Sequence, residues 1–146
     1  MLKKINHISI TVNDLEKSIK FYQKTIGLKL IDKSSREQVF TEQVTSIKGV
    51  KLLIAYLQAE NCKLELIQYL PSSGKQLDNT TSNIGSTHLC FEVSNFDQFL
   101  KKVLKAGGRL TGKVTTVPGG PNKGKKVVYT KDPDGYNLEF FSTEKE

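Results

Sequence analysis

Polar and apolar residues alternate in two short segments of the chain, residues 6–12 (NHISITV) and residues 87–93 (THLCFEV). Successive side chains of a strand point to opposite faces, so this alternation predicts strands with one polar and one apolar face. Each segment carries a histidine on its polar face, and His7 and His88 are the only two histidines of the chain. The two segments therefore predict an internal repeat that places one histidine on the first strand of each copy.

The first copy continues with an amphipathic helix and three further strands. Apolar residues recur at steps of four and three along the helix, which Asn13 or Asp14 can cap and which ends at Gly27. Residues 34–49 are polar and irregular, and we expect a loop with a short strand at 38–44. That loop is either a surface excursion or a lid over the polar face. The predicted strands of this copy are 4–12, 28–32, 50–57 and 63–69.

The second copy repeats this order after residues 71–86, whose Ser, Asn, Thr and Gly content is typical of a linker. Asn95 can cap a helix over residues 96–105, and Gly108 follows its end. The segment DPDG, which begins at Asp132, favours a tight turn in the last hairpin. The predicted strands of this copy are 87–93, 110–117, 127–131 and 136–142.

Both copies thus have the order strand, helix, strand, strand, strand, which predicts an α+β fold. The chain of 146 residues has the ordinary size of one domain with its own core. We expect a single domain over residues 1–146, with module one at about 1–70, the linker at about 71–86 and module two at about 87–146.

Each copy also places a glutamate on its last strand, between two apolar residues. Such a carboxylate either faces solvent or lies in a polar cavity where another group pairs with it. Glu65 and Glu139 occupy equivalent positions of the repeat, as do His7 and His88. Two imidazoles and two carboxylates suit a divalent transition metal, so these four residues are the predicted ligands of one metal ion, Zn, Ni, Co, Mn or Fe.

Composition and charge narrow the classes of protein. The chain is 37% hydrophobic and 25% charged, and it has no apolar run near the ~20 residues that span a bilayer and no cleavable apolar leader. We therefore expect a cytoplasmic protein without a membrane partner. The net charge is +7, but the lysines are dispersed and arginine is scarce, which argues against nucleic-acid binding. Cys62 and Cys90 are too few for a disulfide framework.

The chain resembles the vicinal oxygen chelate superfamily, which includes glyoxalase I, the bleomycin resistance proteins and the extradiol dioxygenases. The resemblance covers nearly the whole chain and rests on four segments: INHISITVNDLEKSIKFYQKTIGLKL, KLELIQY, STHLCFEV and KDPDGYNLEFF. It implies two βαβββ modules in tandem, with cupped, partly open barrel-like sheets and helices packed outside. It implies the same four ligands, His7, Glu65, His88 and Glu139, and a homodimer whose site forms within one chain or across two.

The resemblance also implies a reaction. We expect a metal-dependent lyase or isomerase of glyoxalase I-like type, which acts on a small oxygenated substrate through a metal-stabilised enolate. Glu139 is the expected proton-transferring residue, with Glu65 as its catalytic partner. The alternatives are a non-catalytic protein that sequesters a drug, as bleomycin resistance proteins do, and an acyl-CoA epimerase. The methylmalonyl-CoA epimerases of this superfamily usually carry Gln where Glu65 stands.

Two departures from glyoxalase I concern its cosubstrate. Bacterial glyoxalase I typically places Arg and Asn where this chain has Thr11 and Tyr69, and both contact glutathione. We therefore expect that glutathione is not the cosubstrate. Lys123, Lys125 and Lys126 belong to a predicted Gly/Pro loop over residues 117–126. There they are either solvated or attract an anionic substrate as flexible charges.

Overall fold

The computed structural model describes residues 1–72 and 74–145. The chain forms two compact units, Met1–Gln76 and Leu77–Glu146. Each unit begins with a strand and a helix and continues with further strands. The strands of each unit form one separate sheet. The predicted α+β fold with two tandem modules is therefore confirmed. Among the residues described, none of the helices has the length and apolar character needed to cross a membrane.

The first unit is built on a four-stranded sheet. Its order is β1-β4-β3-β2, in which β1 runs parallel to β4 and the other neighbours are antiparallel. Two helices accompany the sheet, and a π-helical turn extends the first of them. The elements are β1 (Ile8–Thr11), α1 (Leu15–Lys20), the π-helical turn (Phe21–Ile26), β2 (Lys29–Arg36), α2 (Gln38–Thr45), β3 (Lys51–Gln58) and β4 (Lys63–Leu70).

Helix α1 begins and ends as its sequence predicts. Asp14 is the N-cap residue, and its carboxylate accepts a hydrogen bond from the Lys17 amide at 3.0 Å. The π-helical turn ends at Gly27, whose φ of +99° lies in the left-handed region that glycine adopts without strain. Leu15 and Tyr22 are fully buried on the apolar stripe, so this stripe holds the helix to the core.

Three predictions for the first unit are wrong. Residues 38–45 form helix α2 and not a strand, because Phe40 and Val44 have the four-residue spacing of a helix and Thr41 is buried beneath it. The first strand is also shorter than predicted, so His7 lies just before β1. Strand β2 continues to Arg36, well beyond the predicted end, since pairing with β3 depends on the backbone and not on apolar side chains.

The second unit is built on a five-stranded sheet. Its path is β5-β9-β8-β6, with β7 also paired to β8. Strand β5 runs parallel to β9, which repeats the β1–β4 relation of the first unit. The elements are β5 (His88–Val93), α3 (Phe96–Lys105), β6 (Arg109–Leu110), β7 (Thr115–Thr116), β8 (Lys125–Lys131) and β9 (Asn137–Lys145).

Helix α3 has the predicted bounds, but the side chain of Asn95 does not cap it as predicted. Asn95 is the N-cap residue in a left-handed conformation, φ 50°, and its side chain makes no capping hydrogen bond. The helix is held by its buried face, which includes Leu100 and Val103. At its end, a Cβ on Gly108 would lie 2.6 Å from Cγ1 of Val103, so only glycine lets the chain pass this close to the helix.

The region after α3 also departs from the prediction. In place of one strand over residues 110–117 there are two strands of two residues each, β6 and β7. Gly112 lies between them, and a glycine within a strand weakens it. The turn before β9 is confirmed: the carboxylate of the buried Asp132 accepts a hydrogen bond from the Tyr136 amide at 2.8 Å, and Gly135 has a φ of +91°.

Candidate metal centre

The first unit brings together His7 and Glu65. The parallel register of β1 and β4 pairs Ser9 with Glu65, and His7 lies two residues before Ser9 on the same side of the chain. The Nε2 atom of His7 is 3.3 Å from Oε2 of Glu65. Glu65 is 6% exposed although it is a carboxylate. Its burial against an imidazole fits the second of the two sequence-based alternatives, a polar cavity with a partner.

The second unit brings together His88 and Glu139 in the same way. The register of β5 and β9 pairs Cys90 with Glu139, and His88 again lies two residues earlier. Nε2 of His88 is 3.2 Å from Oε2 of Glu139. The Glu139 side chain is 13% exposed and that of Glu65 is 7% exposed, so Glu139 is the more accessible of the two carboxylates.

The two pairs fit a divalent cation by their chemistry. Among the ion pairs of the described residues, neither Glu65 nor Glu139 is matched with a lysine or an arginine. A buried carboxylate without a cationic side chain is costly, and a metal ion would remove that cost. Within residues 1–72 and 74–145, however, no three His, Cys, Asp or Glu side chains are grouped to hold a metal. The set of four ligands stays a prediction.

Each unit adds a tyrosine that the sequence pattern does not single out. Tyr56 on β3 is the cross-strand partner of Glu65, and Tyr129 on β8 is the cross-strand partner of Glu139. Both tyrosine rings meet the histidine of their unit edge-on, with centroids 5.7 Å apart for His7 and 5.2 Å apart for His88. Aligning the third strands of the two copies, and not only the first and last, would have revealed both.

The immediate surroundings of the two histidines differ. Nδ1 of His7 lies 2.9 Å from Oδ1 of Asn6, which accepts a hydrogen bond only if Nδ1 carries the proton. That tautomer leaves the lone pair on Nε2, the atom nearest Glu65. Nε2 of His88 lies 3.4 Å from the hydroxyl of Tyr129. Each histidine therefore has a different neighbour to orient its ring.

Burial and the neighbouring carboxylates raise the pKa values of three groups in the two units. The pKa of Tyr56 is raised by its hydrogen bond to Glu65 and by burial. The pKa of Tyr129 is raised by burial and by the charge of Glu139. Desolvation, together with Glu139, raises the pKa of the Cys90 thiol to about 12. Cys90 is thus protonated at neutral pH, which is unlike a nucleophilic cysteine.

The lysines predicted to be flexible loop charges are mostly fixed. Lys125 and Lys126 belong to β8 and not to the loop before it. They form ion pairs with Glu92 and Asp97 respectively. That part of the prediction is wrong, because the strand begins before the apolar residues that signalled it.

Comparison with known proteins places the chain in a family. The model of the glyoxalase/bleomycin resistance protein/dioxygenase superfamily matches residues 4–140. The chain belongs to this superfamily, which confirms the resemblance found in the sequence. The lactoylglutathione lyase of Schizosaccharomyces pombe is 29% identical over 95% of this chain and 47% of that protein, so the chain spans about half of that relative's length. The metallothiol transferase FosB of Lysinibacillus sphaericus is 27% identical over 95% of this chain and 82% of that protein.

Two solved structures share the fold. A glyoxalase family protein from Bacillus cereus has a TM-score of 0.85 at 21% identity, over 97% of this chain and 95% of that one. A variant of the fosfomycin resistance protein FosX from Listeria monocytogenes, complexed with Mn(II) and dihydroxypropylphosphonic acid, has a TM-score of 0.65 at 17% identity. That match covers 99% of this chain and 95% of the FosX chain.

Proposed function

We propose that this protein is a metal-dependent lyase or isomerase of glyoxalase type that acts on a small oxygenated substrate. His7, Glu65, His88 and Glu139 are its proposed ligands for one divalent metal. The observation that carries the proposal is the repeat of the same His–Glu pair in both units, at 3.3 Å and 3.2 Å. The manganese in the related FosX structure supports a metal of this kind.

The side chains divide the chemistry between them. When bound, a divalent metal would polarise vicinal oxygens of the substrate and stabilise the negative charge of an enolate as it forms. Glu139 is the proposed base that takes a proton from the carbon next to the carbonyl and returns it to the neighbouring carbon. Glu65 is the more deeply buried carboxylate, which suits a ligand that stays in place while Glu139 moves the proton.

The proposed substrate is used without glutathione. Thr11 cannot form a bidentate pair with a carboxylate, and Tyr69 offers one hydroxyl in place of an amide. We expect no more than weak turnover of methylglyoxal with glutathione by the metal-loaded protein. A kcat/KM in the usual enzyme range of roughly 10⁴–10⁸ M⁻¹s⁻¹ would contradict this expectation and make the protein a lactoylglutathione lyase.

A second candidate function is modification of fosfomycin. It is favoured by the similarity to FosB over 95% of the chain and by the fold shared with FosX. Both candidates would use the proposed metal centre, and they differ in substrate. Fosfomycin consumed in the presence of a thiol or of water alone, with no isomerase activity, would favour this second function.

The decisive experiment measures metal and activity together. The protein is purified without added metal, analysed for bound metal, and then assayed with hemithioacetals, acyl-CoA epimers and fosfomycin. His88→Ala and Glu139→Ala should each lower metal content and abolish turnover. Unchanged metal content in both variants would overturn the ligand assignment. Binding of a drug that survives chelation, without turnover, would make the protein a sequestering one.

A further inference from the structure

The tyrosine that accompanies each His–Glu pair is fixed by the backbone. Tyr56 and Tyr129 lie on strands antiparallel to those of Glu65 and Glu139, in direct register with them. Such partners have Cβ atoms about 4.5–5.5 Å apart. Each phenol therefore reaches the carboxylate of its own unit from a neighbouring strand of the same sheet.

The two tyrosines also make the same kinds of contact. The side chain of Tyr56 interacts with the carboxylate of Glu65, and that of Tyr129 with the carboxylate of Glu139, and each interaction raises the pKa of the phenol. Both rings stand edge-on to the histidine of their unit. A single tyrosine on a sheet face is commonly a packing residue. Two at equivalent positions, each touching the same two residue types, indicate a shared role.

A phenol beside a ligand carboxylate has a defined physical effect. An ionised carboxylate offers about four lone-pair positions, and a phenol donor occupies one and restricts rotation of the group. The remaining positions stay available to a cation. The carboxylate is then oriented before the metal arrives, so less conformational freedom is lost on binding. Groups that orient ligands in this way raise metal affinity.

We propose that Tyr56 and Tyr129 are positioning residues that hold Glu65 and Glu139 in the orientation needed to bind a divalent metal. This inference rests on the proposed function, because it takes both glutamates as ligands. The structure thus supplies each unit with a trio, His7–Tyr56–Glu65 in the first and His88–Tyr129–Glu139 in the second. In this proposal the tyrosines act through the two glutamates and not on the substrate.

The test removes each hydroxyl and measures cobalt(II) binding to the full chain. Calorimetry gives the affinity, and the visible absorption of bound cobalt(II) reports its coordination geometry. Tyr56→Phe and Tyr129→Phe should each weaken cobalt(II) binding by about 10–100-fold and alter the absorption bands. The metal-free variants should stay folded and lose only a few degrees of melting temperature, because the rings and their packing remain.

Tyr69→Phe is the matched control. Tyr69 lies on β4 with Glu65, four residues farther along the strand, which is about 13 Å, so its loss should leave cobalt(II) affinity and spectrum unchanged. An equal loss of affinity in the control would overturn the positioning role. Wild-type affinity and spectra in both test variants would also overturn the positioning role, but they would leave the proposed metal centre intact. A wild-type protein that binds no cobalt(II) would overturn the metal centre and the role together.

Discussion

The carboxylates of Glu65 and Glu139 share one arrangement but differ in exposure. Each lies beside a histidine and across from a tyrosine of its own unit. The Glu139 side chain is 13% exposed and that of Glu65 only 7%. Proton transfer requires contact with the substrate, whereas a structural ligand does not. The difference therefore favours Glu139 as the proposed base.

Glu139→Gln tests that assignment. The amide keeps the shape and one oxygen ligand but cannot accept the proton, so turnover should fall by about 10²–10⁴-fold while part of the bound metal remains. Steady-state assays with metal analysis on the same sample measure both. Wild-type turnover by this variant would refute the role of Glu139. Glu65→Gln is the comparison, and there we expect metal content to fall with turnover.

Asn6 provides a second test at this scale, because it contacts Nδ1 of His7 at 2.9 Å. Asn6→Ala should populate the other tautomer, move the imidazole ¹⁵N shifts of His7 and weaken metal binding by about 10–100-fold. The shifts of His88 should stay in place, since its neighbour is Tyr129. Asn122→Ala, in the loop before β8, is the control. Unmoved His7 shifts in Asn6→Ala would contradict the tautomer assignment.

The sequence predicts some of these residues and not others for a physical reason. His7, His88, Glu65 and Glu139 are visible because the repeat marks equivalent positions on the first and last strands of each copy. Tyr56 and Tyr129 become visible only through the register between neighbouring strands. That register depends on which strands pair and on where they start. The local alternation of polar and apolar residues specifies neither the pairing nor the starting residues.

At the scale of elements, the reliability of a prediction follows the strength of the local signal. Helix α3 has a sustained apolar stripe and a glycine at its end, and its bounds agree with the sequence prediction. Helix α2 is short, and its apolar residues are largely exposed: Val39 is 73% exposed and Val44 is 66% exposed. Its residues therefore lack the core-facing pattern that identifies a helix in sequence, and the sequence favours a strand there.

The close passage of Gly108 beside α3 is testable. A Cβ there would lie 2.6 Å from Cγ1 and 3.0 Å from the carbonyl oxygen of Val103, so Gly108→Ala should destabilise the protein by about 1–3 kcal/mol. Gly112→Ala is the matched control, since a Cβ there has no neighbour within 4 Å. Urea unfolding measures both variants. Equal free energies of unfolding for the two variants would show that Gly108 is not packed tightly against Val103.

At the scale of the whole molecule, we propose a homodimer. In the strand pairing of the described residues, the outer strands are β1 and β2 in the first unit and β5, β6 and β7 in the second. Unpaired edges are sites where another chain can add. Helix α2 also exposes Val39, Phe40 and Val44, and exposed apolar surface is typical of a contact with a partner.

Light scattering tests the assembly. The wild-type chain should have the mass of two chains at micromolar concentration, and Phe40→Glu with Val44→Glu should shift it toward one chain, because charge in an apolar contact is costly. Ile84→Glu, in an exposed apolar position of the second unit, is the control and should leave the mass unchanged. A wild-type monomer across this range would contradict the proposal.

The repeated trio makes the two halves of the ligand set genetically separable. A chain with Glu65→Ala keeps an intact second unit, and a chain with Glu139→Ala keeps an intact first unit. When both chains are expressed together, complementation of activity follows if each site takes one unit from each of two chains, because one intact site then forms in every mixed pair. Sites built within single chains leave the mixture inactive. Two inactive variants are therefore enough to determine whether the proposed metal centre forms within one chain or between two chains.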